Sequence, residues 1–180
     1  WQGQSRVVMD APPEKESVDA FVIIAHALRD AQVMVPEIDA QAREQGFLLL
    51  SDFGDELYFK HLSLETADHL YAQAFNSILS IQACAEVKNY DLPQFSAVRL
   101  HEELGWFQQW YVGAYLGLSL STIEQQALSS MFSLIVNQAL SQPQVLVHKD
   151  FHSRNLFVLD HGDVGVIDFQ DALIGPITYD

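Results

Sequence analysis

Short apolar runs alternate with polar turns in the last third of the chain, and this pattern constrains the fold more than any other feature. Two apolar runs, residues 145–147 and 156–158, flank a polar loop that holds Asp150 and Asn155, and a third run ends on Asp168. Short apolar runs bounded by turn residues are typical of strands. The sequence therefore predicts neighbouring strands whose ends bring these three polar side chains together.

The types of these side chains are those that phosphoryl transfer from a magnesium nucleotide requires. This reaction leaves the protein little covalent chemistry, so that catalysis consists of positioning and neutralising charge. We predict that Asp150 accepts the proton of a substrate hydroxyl. Asn155 and Asp168 would hold Mg²⁺, a hard cation that prefers oxygen ligands. A carboxylate that closes an apolar strand needs such a partner.

The loop also matches a known catalytic pattern. His148, Asp150 and Asn155 fit the His-x-Asp-x-x-x-x-Asn loop of protein kinases, and residues 168–170 read Asp-Phe-Gln where those enzymes have Asp-Phe-Gly. His152, two residues after the base, resembles instead the aminoglycoside phosphotransferase family, whose loops read His-x-Asp-x-His-x-x-Asn. The segment 175–180 resembles the Pro-x-x-Tyr-Asp-like segment of that family.

Several longer stretches resemble one branch of that family, the amino-sugar kinases of bacterial cell-wall recycling. They are residues 8–15, 46–50, 152–156 and 168–172. Members of this branch phosphorylate N-acetylmuramate and N-acetylglucosamine at the C1 hydroxyl. The resemblance therefore implies a kinase that uses ATP and Mg²⁺ and has a small amino sugar as its partner.

The resemblance also implies an α+β, two-lobe protein-kinase-like fold. Residues 1–51 would form part of the N-terminal small lobe, and residues 52–180 part of the helical lobe with the catalytic loop. Between them, Ser51, Asp52 and Phe53 would be the hinge that binds adenine, although a plain turn is the alternative. The first residue is Trp1 and no glycine-rich loop is present, so we expect a fold truncated at both ends.

One residue departs from the family pattern. Met9 falls where kinase-like enzymes place a lysine that grips the α- and β-phosphates. Arg6 and Lys15 are the nearest cations in the sequence. This departure motivates one alternative, a nucleotide-binding pseudokinase without turnover. A second alternative is a metallohydrolase that uses His148, Asp150 and His152 as a metal cluster. The family resemblance leaves a third, a phosphotransferase that acts on aminoglycosides or on another small molecule.

Other residues of the catalytic loop have two possible roles each. His152 either touches the transferred phosphoryl group or braces the loop. Arg154 either neutralises charge on the γ-phosphate, because a guanidinium suits phosphate geometry, or is a surface arginine. We interpret His148 as a hydrogen-bonded structural histidine, and Asp180 resembles a family aspartate that supports the loop.

A helix predicted over residues 97–115 carries the candidate substrate residues. Its aromatic side chains at a spacing of four include Trp106 and Trp110, which would line a sugar pocket, although core packing is the more common role of such rows. Glu103 would bond sugar hydroxyls, and Asp171 is a candidate substrate contact.

Charge and composition narrow the possible partners. Nine Lys and Arg against 24 Asp and Glu give a net charge of −15. Such a surface repels nucleic acids and anionic membranes, so we predict no partner of either kind. The sequence does not indicate an oligomeric state. Cys84 is the single cysteine, and no signal peptide or apolar run of about 18 residues is evident. These features predict a cytoplasmic protein.

Overall fold

The computed structural model describes residues 3, 5–14, 17–84, 87–88 and 90–180, with the backbone alone at His161. Its first part is a sheet covered by a helix. The elements are β1 (Arg6–Asp10), α1 (Val18–Asp30), β2 (Ile38–Ala42) and β3 (Phe47–Ser51). Strand β3 lies in the middle and pairs antiparallel with both neighbours.

Helix α1 confirms the prediction made from its local sequence. Ser17 caps it, because the Ser17 hydroxyl accepts a hydrogen bond from the Asp19 N–H at 3.2 Å. The predicted apolar face is buried against the sheet. Strand β3 is only half buried, since Leu48 and Leu50 face the core while Phe47 is exposed. Side chains alternate across a strand, so a continuous apolar run does not mean burial on both faces.

Gly46 closes the turn between β2 and β3. Its φ is 75°, and a Cβ atom added there would lie 2.0 Å from the backbone oxygen of Ala11. We expect Gly46→Ala to lower the free energy of unfolding by about 1–3 kcal/mol, from clash and backbone strain together. Chemical denaturation measures this change.

Gly117 provides the matched control, because its φ is 65° and a Cβ atom added there would have no neighbour within 4 Å. Gly117→Ala therefore adds backbone strain without the clash. Equal destabilisation by the two substitutions would contradict the role of the close approach to Ala11.

The second part of the chain is mainly helical. It contains α2 (Tyr58–His61), α3 (Ala67–Ala83), α4 (Ala97–Trp106) and α5 (Thr122–Ser141). Helix α4 continues as a π-helix over Phe107–Tyr115. The capping box predicted at Ser121 and Glu124 is present at the start of α5.

Helical spacing of apolar residues predicts one stripe from Leu64 to Ile78 and another from Ile123 to Ala139. Each is only partly buried in the structure, at Ala74 in α3 and at Ala139 in α5. Helix α3 buries Leu70, Ala74 and Ile81, whereas Tyr71 and Phe75 are exposed. In α5, Val136 is buried, while the predicted stripe at Ile123, Met131 and Ile135 is exposed. Periodicity identifies an apolar face, but neighbouring elements decide whether that face is covered.

Two small antiparallel sheets of two strands each complete the fold. Strand β4 (Gln144–Val147) pairs with β7 (Leu173–Pro176), and β5 (Leu156–Val158) pairs with β6 (Val164–Val166). Three of these strands match the predicted apolar runs, and β7 was not predicted. The loops β4–β5 and β6–β7 lie next to each other and carry the candidate catalytic side chains. Among the described helices, none is both long and apolar enough to cross a bilayer.

Candidate active site

The backbone of the β4–β5 loop is held in place by Asp180. The Asp180 carboxylate accepts hydrogen bonds from the N–H groups of His148 at 2.6 Å and Lys149 at 2.7 Å. Lys149 adopts a left-handed conformation with φ of 84°. Burial raises the pKa of the Asp180 carboxyl, and the two N–H donors oppose that rise. Asp180 thus supports the loop, as the family resemblance implied.

His148 joins the two loops of the site. It is 1% exposed, its Nε2–H donates to the Ile167 carbonyl at 3.0 Å, and its Nδ1 accepts from the Asp150 N–H at 3.3 Å. Burial lowers the pKa of this imidazole, against the opposing charge of Asp180. The neutral ring fits both hydrogen bonds, in agreement with a structural role.

This arrangement counts against the metallohydrolase alternative. Both ring nitrogens of His148 are engaged by backbone groups, so neither has a lone pair directed at a metal ion. No group of three His, Cys, Asp or Glu side chains able to hold a metal occurs in the described part of the chain.

Asn155 connects the candidate base to the candidate metal acid. Its buried Nδ2 group donates to the Asp150 carbonyl at 3.0 Å and to Asp168 Oδ2 at 3.1 Å. Gln170 Nε2 donates to Asp168 Oδ1 at 2.8 Å. The carboxylates of Asp150 and Asp168 themselves are exposed. The structure therefore places the Asn155 side chain in contact with both the Asp150 backbone and the Asp168 carboxylate, the three residues that the sequence singled out.

Packing of the residue that follows Asp168 fixes the position of Asp168. The next residue, Phe169, is fully buried, and its ring centroid lies 4.7 Å from that of Phe21 on α1. Asp168 has a φ of 67°, and the preceding Ile167 N–H donates to the Asn155 carbonyl at 3.1 Å. A helix of the first part of the chain thus contacts the segment that carries the metal candidate.

A cavity of about 680 Å³ runs from the predicted hinge to Asn155 and Asp168. One wall is apolar and comes from β1 and β3, and the opposite wall comes from β5 and the end of β6. The lining residues are Val7, Met9, Phe21, Pro36, Leu50, Ser51, Asp52, Phe53, Gly54, Asp55, Asn155, Phe157, Ile167, Asp168 and Gln170. A mainly apolar cleft with a few convergent polar groups suits a planar ligand with a polar end.

Each of the three hinge candidates already has contacts within the protein. The Ser51 N–H donates to the Glu37 carbonyl at 2.9 Å, and the Ser51 hydroxyl accepts from the Glu37 N–H at 2.8 Å. The Phe53 ring packs edge-on against Phe157, with centroids 5.8 Å apart. Asp52 accepts a hydrogen bond from the Gly54 N–H, and a bond from the Ser5 side chain is the larger cause that lowers its pKa.

Among the described residues that line this cleft, none is a lysine or an arginine. Met9 lines it as the sequence position predicted. Arg6 forms an ion pair with Asp39 on β2, the strand on the far side of β3, and Lys15 lies outside the described residues. The lining acids are Asp52, Asp55 and Asp168, so the cleft is negative.

The donor set at the end of the cleft fits Mg²⁺. This ion binds proteins through one or two carboxylates and takes its remaining oxygen ligands from water and phosphate. Asp168 supplies a carboxylate and Asn155 an amide, both at the cleft surface. In the structure the carboxylate oxygens of Asp168 accept amide N–H groups from Asn155 and Gln170, which are neutral donors.

The remaining loop candidates lie at the surface. His152 is exposed, and its backbone N–H donates to the Asp150 carbonyl at 3.1 Å. The Arg154 guanidinium lies over the Phe59 ring, 4.8 Å from its centroid. Asp171 forms an ion pair with Lys149, with 3.7 Å between Oδ2 and Nζ.

Glu103 has protein partners. The Tyr179 hydroxyl donates to Glu103 Oε2 at 3.1 Å, and Arg99 Nε lies 3.7 Å from Oε1. Burial and the Glu103 charge raise the pKa of Tyr179 to about 12. Sequence reasoning missed this bond because its partners are 76 positions apart. It also missed the hydrogen bond from Gln170 to Asp168. The position of Gln170, two residues after Asp168, could have indicated this contact.

Trp106 and Trp110 are 57% and 62% exposed, so neither packs in the core that the described residues form. The neighbouring row is also exposed, and its rings stack as the spacing of four predicted. Centroids lie 5.4 Å apart for Phe107 and Tyr111 and 5.7 Å apart for Tyr111 and Tyr115.

This combination of a small antiparallel sheet, a helical part and two adjacent loops that carry Asp150, Asn155 and Asp168 is typical of a kinase-like fold. Solved structures show the same fold. Choline kinase LicA from Streptococcus pneumoniae superposes with a TM-score of 0.65 at 12% identity, over 98% of this chain and 59% of that one. Aminoglycoside phosphotransferase APH(3″)-Id from Streptomyces rimosus, with ADP and streptomycin, gives 0.61 at 16% identity, over 96% and 67%.

Sequence comparison is more specific than the fold. The chain belongs to the phosphotransferase enzyme family, which it matches over residues 1–180. It is 42% identical to the N-acetylmuramate/N-acetylglucosamine kinase of Pseudomonas putida, over 100% of this chain and 53% of that protein. The chain therefore spans about half the length of the curated relatives it matches. The family and the α+β kinase-like fold predicted from the sequence are confirmed.

Proposed function

We propose that the full-length protein transfers the γ-phosphate of ATP to the C1 hydroxyl of an N-acetylated amino sugar. The observation that carries this proposal is the position of Asn155, which lines the end of the 680 Å³ cleft with Asp168 and donates hydrogen bonds to both Asp168 and the Asp150 backbone carbonyl. Residues 1–51 and 52–180 would be the two lobes that enclose the nucleotide.

In this mechanism the adenine would lie against the apolar wall of the cleft and bond backbone groups of residues 51–53 other than the Ser51 N–H, which donates to the Glu37 carbonyl. Asn155 and Asp168 would hold Mg²⁺ at the phosphate end of the nucleotide, where the ion would neutralise phosphate charge. Asp150 is exposed beside them, so its carboxylate is free to accept the proton of the attacking sugar hydroxyl. His148 and Asp180 keep the Asp150 backbone in place.

Because the cleft is negative, nucleotide binding would depend on Mg²⁺ more strongly here than in kinase-like enzymes that have a lysine in the small lobe. Three carboxylates and no described cation line the cleft, so a bare triphosphate would be repelled. Arg154 is the proposed additional cation at the γ-phosphate. To act there it has to leave the Phe59 ring, and cation–π contacts of exposed arginines are weak enough to allow this. His152 would assist the transferred phosphoryl group from the same loop.

The proposed acceptor is an N-acetylmuramate- or N-acetylglucosamine-like sugar. The names of the relatives at 42% and 43% identity support this choice. Exposed Trp106 and Trp110 are compatible with stacking on sugar C–H faces, and Asp171 lies in the loop after Asp168. Glu103 would contact the sugar only with the oxygen atoms that Tyr179 leaves free.

We expect the full-length protein to phosphorylate N-acetylmuramate and N-acetylglucosamine at C1 and to leave kanamycin unmodified. Each acceptor is incubated separately with magnesium ATP, and phosphorus NMR identifies the phosphorylated atom. Phosphorylated kanamycin with unmodified sugars would contradict the substrate class and favour an aminoglycoside phosphotransferase. Phosphate at C6 would contradict the regiochemistry alone.

The same experiment tests the pseudokinase alternative, which is favoured by Met9 and by the lack of a cation among the described cleft residues. A pseudokinase would bind the nucleotide and modify none of the three acceptors. Calorimetric titration of the same preparation with magnesium ATP distinguishes this outcome from an inactive, misfolded sample.

A further inference from the structure

Lys149 lies next to the proposed base and has no assigned role. Its backbone N–H is held by Asp180, and its φ of 84° fixes the direction in which the chain leaves the loop. The side chain is 21% exposed, so most of its apolar stem is covered while its ammonium group reaches Asp171. The charge therefore stands at the surface between the two catalytic loops.

The pair with Asp171 is loose. Nζ lies 3.7 Å from Oδ2, beyond the usual length of a charge-assisted hydrogen bond, and the Asp171 side chain is 65% exposed. Exposed ion pairs of this kind contribute little to stability. Lys149 can therefore exchange Asp171 for another carboxylate at a small cost in free energy.

The surroundings of Lys149 are otherwise negative. Asp150, Asp168, Asp171 and Asp180 all lie in or beside the two loops, and the whole chain has a net charge of −15. Other cations of this region have partners already, since Arg154 covers Phe59 and Arg99 lies beside Glu103. An acceptor that carries its own carboxylate would be repelled from such a site unless one cation were directed at it.

We propose that the Lys149 ammonium group binds the carboxylate of an acidic amino sugar and so determines preference between acceptors. This inference rests on the proposed function. N-acetylmuramate and N-acetylglucosamine share the ring, the acetamido group and the C1 hydroxyl, but only the former carries a lactyl carboxylate. The lactyl group is attached through O3, only two ring carbons from C1, so when the C1 hydroxyl faces the base the carboxylate would lie near the base without contacting it. Its partner therefore has to lie near the base as well, and Lys149 meets this condition.

The test compares kcat/KM for the two sugars in full-length Lys149→Met, Lys149→Arg and Lys88→Met proteins. We expect Lys149→Met to lower kcat/KM for N-acetylmuramate by about tenfold or more through KM, with little change for N-acetylglucosamine. Lys149→Arg keeps the charge and should restore most of the preference. Lys88→Met removes the same charge beside His26 and Cys84, away from the loops, and should change neither value.

An equal loss for both sugars in Lys149→Met would overturn the inference, because it would assign Lys149 to the nucleotide or to loop geometry. Unchanged values for both would overturn it as well. If Lys149→Met does not fold, Lys149→Gln decides, since it keeps a polar side chain, removes the charge and should lower kcat/KM for N-acetylmuramate alone by about tenfold. Wild-type protein that phosphorylates neither sugar would remove the proposed function and this inference together.

Discussion

Asp150→Asn is expected to lower kcat of the full-length protein by about 10²- to 10⁴-fold, the usual cost of removing a positioned base. The amide is nearly isosteric with the carboxylate but accepts a proton far less readily. Nucleotide affinity should stay near the wild-type value, because the loop is held through backbone groups of residue 150 and these are unaffected. Steady-state kinetics and calorimetric titration with magnesium ATP measure the two quantities.

Asp160→Asn is the matched control for this prediction. Asp160 is an exposed aspartate in the turn between β5 and β6, so the substitution removes the same charge outside the catalytic loop. Its kcat should match that of the wild-type protein. Turnover of Asp150→Asn close to the wild-type rate would exclude Asp150 as the base.

Asp168→Ala is expected to abolish magnesium-dependent nucleotide binding. The cleft offers no described lysine or arginine to replace the lost metal contact, and its other lining acids repel phosphate. The amides of Asn155 and Gln170 also lose the carboxylate to which they donate. Calorimetric titrations with ATP, with and without Mg²⁺, should show heat for the wild-type protein with Mg²⁺ only.

Asp163→Ala, at an exposed position before β6, controls for the loss of a negative charge. Its affinity for magnesium ATP should be that of the wild-type protein. If Asp168→Ala also retains that affinity, the assignment of Asp168 to the metal is wrong, and the nucleotide is held by other contacts.

Local signals explain what the sequence predicted well. The caps of α1 and α5 depend on Ser17 and Ser121 and on residues within a few positions of each, so short-range patterns were sufficient. The catalytic pattern is also local, because Asp150 and Asn155 share one loop. Asp168 could be added because the two apolar runs before it predicted a hairpin.

The remaining features depend on distant partners. Strand β7 contains Gly175 and Pro176, which weaken a strand pattern, and it forms because β4 provides a pairing edge. The π-helical turns after Trp106 follow from backbone bonding that side-chain periodicity does not encode. The bond between Glu103 and Tyr179 joins residues 76 positions apart, so no spacing rule could have found it.

The two left-handed residues of the site, Lys149 and Asp168, have a consequence for its dynamics. Backbone conformations of this kind cost a non-glycine residue about 1–3 kcal/mol and persist only where the surroundings impose them. Asp180 imposes one, and Asn155 with the buried Phe169 imposes the other. Conformational entropy is therefore lost when the chain folds instead of at each substrate encounter. Glycine in place of Lys149 would relax the backbone, but it would return that entropy to the loop and leave the proposed base, Asp150, to be ordered anew in every turnover.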